Sequence, residues 1–314
     1  MSSRHRFRRH MHAPCVAGAC ALALLAAGSG AHAAIQERVL HIPVEAQSAS
    51  GKLMKAHIAV TVFSDPANPV PAPVAVINHG RSPGAEGRKE LHRARFARQA
   101  RYFVSRGLIV AVPTRMGYGP TFEDDAEDSG GCRSKHYEKA LNSAARQIDA
   151  ALKAVRRLRG DASPDRAVIV GQSFGGAASV AAAALEPEGA QAVISFAGGA
   201  GGNPRTHPAQ PCDPQQMAQV FRDFGGRSQV PMLWVYAKND QFFGAQWPVK
   251  WHTAFVEGGG RAEFRQLPPF GADGHALFHA GIHRWRPVVS EFLDASGFAL
   301  PAPMPRGMAG GVAR

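Results

Sequence analysis

Arg166-Ala167-Val168-Ile169-Val170-Gly171-Gln172-Ser173-Phe174-Gly175-Gly176 is an apolar, β-branched run that ends in Gly-x-Ser-x-Gly and passes directly into the Ala-rich stretch 176–185. The pattern predicts a buried strand, a sharp turn and a helix. Because the chain holds 34 glycines in 314 residues, the bare motif arises readily by chance, and the flanks carry the weight. A strand that turns at once into a helix crowds its neighbours, and Gly171 and Gly175 lack the Cβ that would collide. Ser173, at the tip of the turn, is the candidate nucleophile.

Working outward, residues 35–44 and 54–63 read as two opening strands, paired antiparallel at one edge. The second alternates Ala56, Ile58, Val60 and Val62 against His57, Ala59 and Thr61. Short apolar runs follow at 74–77, 108–112, 167–170, 192–196, 230–236 and 262–267, with the composition of strands buried on both faces. Helical patterns separate them. Residues 89–106 read as a basic helix interrupted by Leu91, Ala94, Phe96, Tyr102 and Phe103, and 136–158 as a helix with a Leu141, Ile148, Leu152, Val155 stripe. Residues 246–258 and 282–293 supply later helices. The alternation predicts one α/β domain over 34–300, a mostly parallel sheet of about eight strands with helices on both faces, and a Gly/Pro/Ala-rich tail at 301–314.

A serine hydroxyl is a weak nucleophile at neutral pH and needs a base, plus a third group to orient that base. In an open α/β sheet such groups gather beyond the carboxyl ends of the strands. Asp240 comes after the run 230–236 in Ala237-Lys238-Asn239-Asp240 and is the expected acid. His275 comes after the run 262–267 in Pro268-Pro269-Phe270-Gly271-Ala272-Asp273-Gly274-His275 and is the expected base. Asp273 is a rival acid better suited to shaping its loop, and His279 and His283 are rival bases in or after the next helix. Backbone N–H groups must also receive a developing oxyanion. Phe174 supplies one, and Asn78-His79-Gly80-Arg81-Ser82, after the run 74–77, supplies the other through Arg81, with Ser82 as the alternative. His79 is read as a hydrogen bonder that shapes this loop.

The chain begins with Arg4, Arg6, Arg8 and Arg9, continues through an apolar segment of about a dozen residues, and reaches Ala31-His32-Ala33. This is the pattern of a secretory signal peptide over 1–33, too short in its apolar part to span a bilayer. Cleavage lowers the net charge from +12 to +8, 32 basic against 24 acidic residues. No basic run or aromatic-interleaved patch comes after it, which argues against nucleic acid as a partner. Cleavage also removes Cys15 and Cys20. The two remaining cysteines, Cys132 and Cys212, are then expected to pair in an oxidising compartment, periplasmic or extracellular.

Taken together, Asn78 to Ser82, Gly171 to Gly176, Leu233 to Asp240 and Pro268 to Phe278 resemble the α/β-hydrolase superfamily, and more closely its dienelactone hydrolase-like branch of exported bacterial proteins. The resemblance implies hydrolysis through a covalent acyl-enzyme with no metal or organic cofactor. Dienelactone hydrolases use a cysteine nucleophile, whereas this chain has Ser173, which turns the expectation toward a serine esterase acting on a small-molecule ester. A peptidase or amidase, an acyltransferase and a non-catalytic binding protein on the same fold stand as alternatives. Tyr118 and Phe242 are expected at the substrate pocket, with Phe243, Trp247 and Trp251 divided between pocket and core. The acidic cluster Glu123, Asp124, Asp125, Glu127 and Asp128 reads as a solvated loop, and the run 198–202 as a flexible rim.

Overall fold

In a computed structural model of the chain, residues 35–299 are described; the expected signal segment 1–33 and the expected tail 301–314 lie outside them. The apolar runs become eight strands: β1 (Gln36–Gln47), β2 (Leu53–Ser64), β3 (Ala72–Asn78), β4 (Ile109–Pro113), β5 (Ala162–Gln172), β6 (Ala190–Phe196), β7 (Met232–Ala237) and β8 (Ala262–Leu267). They form one sheet in the order β1-β2-β4-β3-β5-β6-β7-β8. β1 pairs antiparallel with β2, and β2 with β4; all other pairs are parallel. Two long neighbouring strands can close through a short turn, which explains why only the opening pair makes a hairpin.

Helices cover both faces of the inner strands, as strands without a solvent side require. β8, expected to be buried on both faces, is an edge strand with Glu263 and Arg265 exposed and no fully buried residue, because it has a neighbour on one side only. On one face α3 (Tyr137–Leu158), α4 (Phe174–Ala183), α5 (Pro214–Arg227) and α6 (Gln246–Glu257) pack on Val74, Val76, Ile169 and Trp234. On the other, α2 (Ala97–Val104), α7 (Leu277–Ala280) and α8 (Ile282–Ala295) pack on Ala75, Ile77, Val168 and Val170. Adjacent β3 and β5 residues thus feed opposite cores, the period of two that buries a strand twice.

The continuous helix expected over 89–106 is not formed. A short α1 (Ala85–Lys89) and α2 flank an irregular segment at 90–96. Thr61 Oγ1 donates to Ala94 O (3.0 Å), and Ala94 N donates to Thr114 Oγ1 (2.9 Å). Those bonds tie to the sheet the backbone groups that a helix would need, and Phe96 turns into α2 with φ 46°. Conversely, α5 is not among the helices expected from sequence, although it carries a local signal. Asp213 accepts from Gln216 N at its start (3.1 Å), Pro214 opens it, and Met217, Val220, Phe221 and Phe224 are buried at helical spacing.

The strand order reverses at β3, with β4 on one side and β5 on the other. Such a reversal leaves a crevice beyond the carboxyl ends of the strands. The segments leaving β3, β5, β7 and β8 all open onto that end of the sheet.

Candidate active site

At the end of β5, Ser173 adopts φ 58° and ψ −126°, a conformation costly for a residue with a side chain and held only where the surroundings over-determine it. Here they do. Ser173 N donates to Phe196 O (2.9 Å), while Ser173 O accepts from the N–H groups of Gly176, Ala177 and Gly199 (2.9, 3.1 and 3.2 Å). The flanking glycines are required by close approach. A Cβ on Gly171 would lie 2.0 Å from Gly175 O, and one on Gly175 would lie 2.3 Å from His79 O. The β3 exit loop therefore packs directly on the turn carrying Ser173.

Asp240, just past β7, is buried, and both of its oxygens are committed. Oδ1 accepts from Phe242 N (2.8 Å) and Phe243 N (3.0 Å), and Oδ2 lies 2.9 Å from His275 Nδ1. An ionised carboxylate only accepts, so Nδ1 carries the proton and Nε2 is left as the acceptor. Asp273, the rival acid, instead accepts from Gln241 N and His275 N (2.9 Å each), fixing the backbone of both loops. His279 stacks on Phe96 at 5.1 Å between centroids, and His283 lies 6.4 Å from the Phe270 ring; neither contacts Asp240. Ser173 and His275 wall a common cleft of about 600 Å³. No hydrogen bond joins Ser173 Oγ to the imidazole among the described residues, a contact that commonly tightens only around substrate.

Phe174 N–H, at the first position of α4, and Arg81 N–H have no hydrogen-bond partner among the described residues. A helix start leaves such donors free to meet negative charge. The Arg81 loop is held firmly. His79 Nε2 accepts from Arg115 N (3.1 Å), which obliges Nδ1 to donate to Gly80 O (2.8 Å). Burial, together with the neighbouring Arg115 cation, holds the His79 pKa well below its ordinary value. The Arg81 guanidinium forms a two-pronged pair with Asp125 (2.9 and 2.6 Å).

The acidic segment departs only in part from the solvated loop expected: Glu123 and Asp128 are exposed, while Asp125 and Glu127 turn inward. Asp125 pairs with Arg81 and Arg88, and Glu127 is fully buried against Arg115 (2.5 Å). Glu127 turns inward because the buried Arg115 cation needs a carboxylate, and Asp125 turns toward the half-buried Arg81 and Arg88. Tyr118 goes with this segment. Expected at the pocket border, it is buried with its hydroxyl 3.3 Å from Glu127 Oε2 and its ring edge-on to His79 (4.3 Å), so it supports the loop from behind and does not wall the cleft. Phe242 does wall it, stacked on His275 at 3.9 Å and 20°. Phe243 packs on Trp251, which is fully buried and donates to Pro214 O (2.9 Å); Trp247 borders the core. Residues 199–202 wall a second pocket beside Ser173. Cys132 and Cys212 are joined in a disulfide, with Cα atoms 5.1 Å apart, linking the acidic segment to that wall. Among the described residues no helix is long and apolar enough to cross a membrane.

The eight-stranded, mostly parallel sheet and the placing of these loops define an α/β-hydrolase. Residues 60–277 match the dienelactone hydrolase family, and the chain belongs to it. No curated protein matches the sequence. Among solved structures, the acylaminoacyl peptidase of Pyrococcus horikoshii superposes with a TM-score of 0.59 at 16% identity, covering 87% of this chain and 43% of that one. The present chain therefore spans less than half of that peptidase. An acetyl xylan esterase from Paenibacillus sp. R4 (TM-score 0.53, 18% identity) covers 83% of this chain and 89% of its own. A cold-adapted esterase from an Arctic intertidal metagenomic library (TM-score 0.54, 14% identity) covers 83% and 94%. At such identities the likeness is one of fold.

Proposed function

We propose that the protein is a serine esterase in which Ser173, His275 and Asp240 form the catalytic triad. The observation that carries this reading is the chain of contacts from Asp240 to His275 Nδ1, with Nε2 left to serve a serine on the same cleft. Ser173 Oγ attacks the ester carbonyl as His275 Nε2 takes its proton, and the Phe174 and Arg81 N–H groups receive the oxyanion. Collapse breaks the carbon–oxygen bond to the alcohol, whose oxygen takes the proton from His275. Water, deprotonated by the same imidazole, then attacks the acyl carbon; the bond to Ser173 Oγ breaks, and His275 returns its proton to that oxygen as the acid leaves.

The disulfide supports an exported destination, since such bonds persist in oxidising compartments, in keeping with removal of residues 1–33. The test is covalent. A fluorophosphonate probe labels the wild-type protein at one site, and Ser173→Ala abolishes labelling and ester turnover while the circular dichroism spectrum is retained. Stoichiometric labelling of the alanine variant overturns the assignment. Matched esters and amides assayed alongside separate an esterase from a peptidase.

A further inference from the structure

Ser173 stands where two cavities of different character meet. The larger, about 600 Å³, is lined along the irregular segment and the start of α2 by Leu91, Ala94, Phe96 and Ala97, alternating with Arg93, Arg95 and Arg98. The smaller, about 380 Å³, lies between Ser129, Gly130 and Lys135 on one side and the 199–202 loop on the other. Phe242 borders both.

The catalytic groups are divided between the two. His275 borders only the large cleft, Phe174 borders only the small pocket, and Arg81 and Ser173 border both. We infer from this division that the ester is read from both sides of Ser173, with a bulky apolar alcohol portion in the large cleft and a short acyl portion in the small polar pocket. The inference rests on the serine esterase reading and extends it to a substrate class.

Proton transfer sets the orientation. When the tetrahedral intermediate collapses, the bond between the carbonyl carbon and the alcohol oxygen breaks, and its electron pair stays on that oxygen. The oxygen must then collect the proton held on His275 Nε2, so the alcohol has to lie on the His275 side. The acyl carbon stays bonded to Ser173 Oγ and its substituent takes the other side, next to the Phe174 donor.

Pocket chemistry sets the sizes. Lys135 Nζ donates to Ser129 Oγ (3.3 Å) and Gly130 O (2.5 Å) and has no carboxylate partner among the described residues. A long alkyl chain laid over these groups would strip them of water without replacing its hydrogen bonds, a cost that a short acyl group avoids. In the large cleft Leu91, Ala94, Phe96 and Ala97 offer apolar surface that gains from being covered.

Two isomeric esters, both with ordinary aliphatic leaving alcohols, test the assignment: 2-naphthylmethyl acetate and methyl 2-naphthylacetate. The wild-type protein is expected to hydrolyse the first with kcat/KM roughly tenfold or more above the second, the scale on which a pocket discriminates by fit. Ala97→Phe should lower kcat/KM for the naphthylmethyl ester more than for ethyl acetate, and Ser129→Phe should lower it for ethyl butanoate more than for ethyl acetate. A protein labelled by fluorophosphonate at Ser173 that prefers the second isomer, treats the two alike, hydrolyses neither, or shows the two variant effects exchanged overturns the orientation and leaves the nucleophile intact. Failure of labelling at Ser173 removes the underlying reading instead.

Discussion

Replacing Asp240 by Asn removes one charge and almost nothing else, and the structure indicates where the effect falls. Asp240 Oδ1 accepts from two backbone N–H groups, those of Phe242 and Phe243. An asparagine satisfies them by turning its amide oxygen to that side, which leaves its NH2 facing His275 Nδ1. A donor there requires Nδ1 to be the acceptor, so the ring proton moves to Nε2 and the imidazole can no longer take a proton from Ser173. Loss of the correct tautomer costs about 10⁴ in kcat, or roughly 5.4 kcal/mol of barrier. The fold changes little, because both backbone bonds survive. The assay is steady-state kcat on a short-chain nitrophenyl ester, read beside the rate of fluorophosphonate labelling and the thermal midpoint. Both kcat and labelling should fall together, with the midpoint within a few degrees of wild type. A variant that keeps its midpoint and loses less than about tenfold in kcat would show that Asp240 does not set the state of the imidazole.

Other outcomes are expected from the loops around this centre. Glu127→Gln strands Arg115 as a buried cation and should cost about 3–5 kcal/mol in urea unfolding; a loss below about 1 kcal/mol refutes an internal ion pair at this position. Cys132→Ser frees a loop of sequence separation 80, for which chain entropy predicts a loss of about 4.5 kcal/mol, measured against the reduced wild type as a control that should lose the same amount. His79 is held neutral in the folded protein, whereas the unfolded chain takes up a proton below about pH 6.5. Protons therefore favour the unfolded state as pH falls, and His79 should contribute a stability loss approaching about 1.4 kcal/mol per unit below pH 6.5. His79→Gln should flatten that slope in unfolding curves collected between pH 6.5 and 5; an unchanged slope assigns it to other groups.

Features of this fold are legible in the sequence to the extent that they are local. The Gly171 to Gly175 turn announces itself because strand, turn and helix are contiguous, and Asp240 and His275 stand on the segments directly after the last two strands. The acidic segment is opaque for the opposite reason. Five carboxylates close together in loop residues look hydrated, and nothing near them in sequence indicates that Arg81 lies 44 positions away from Asp125 and bonded to it. The break at 90–96 is likewise set by Thr61 and Thr114, both distant in the chain, so a tertiary tie overrides a reasonable local helix pattern. Tyr118 is carried inward by the same loop. α5 escapes the sequence reading despite a local signal, the Asp213-Pro214 start and the spacing of its buried residues.

Phe242 performs two tasks with separate parts of one residue. Its amide steadies the Asp240 carboxylate, while its ring stacks on the imidazole and the residue borders both cavities beside Ser173. Exchanging that ring for a smaller or larger one alters who is admitted, yet the amide contribution is common to any amino acid but proline. On the serine esterase reading proposed above, selectivity at this position can drift under mutation while the Asp240–His275 contact beneath it is preserved, a separation that makes Phe242 a natural first target for redesign.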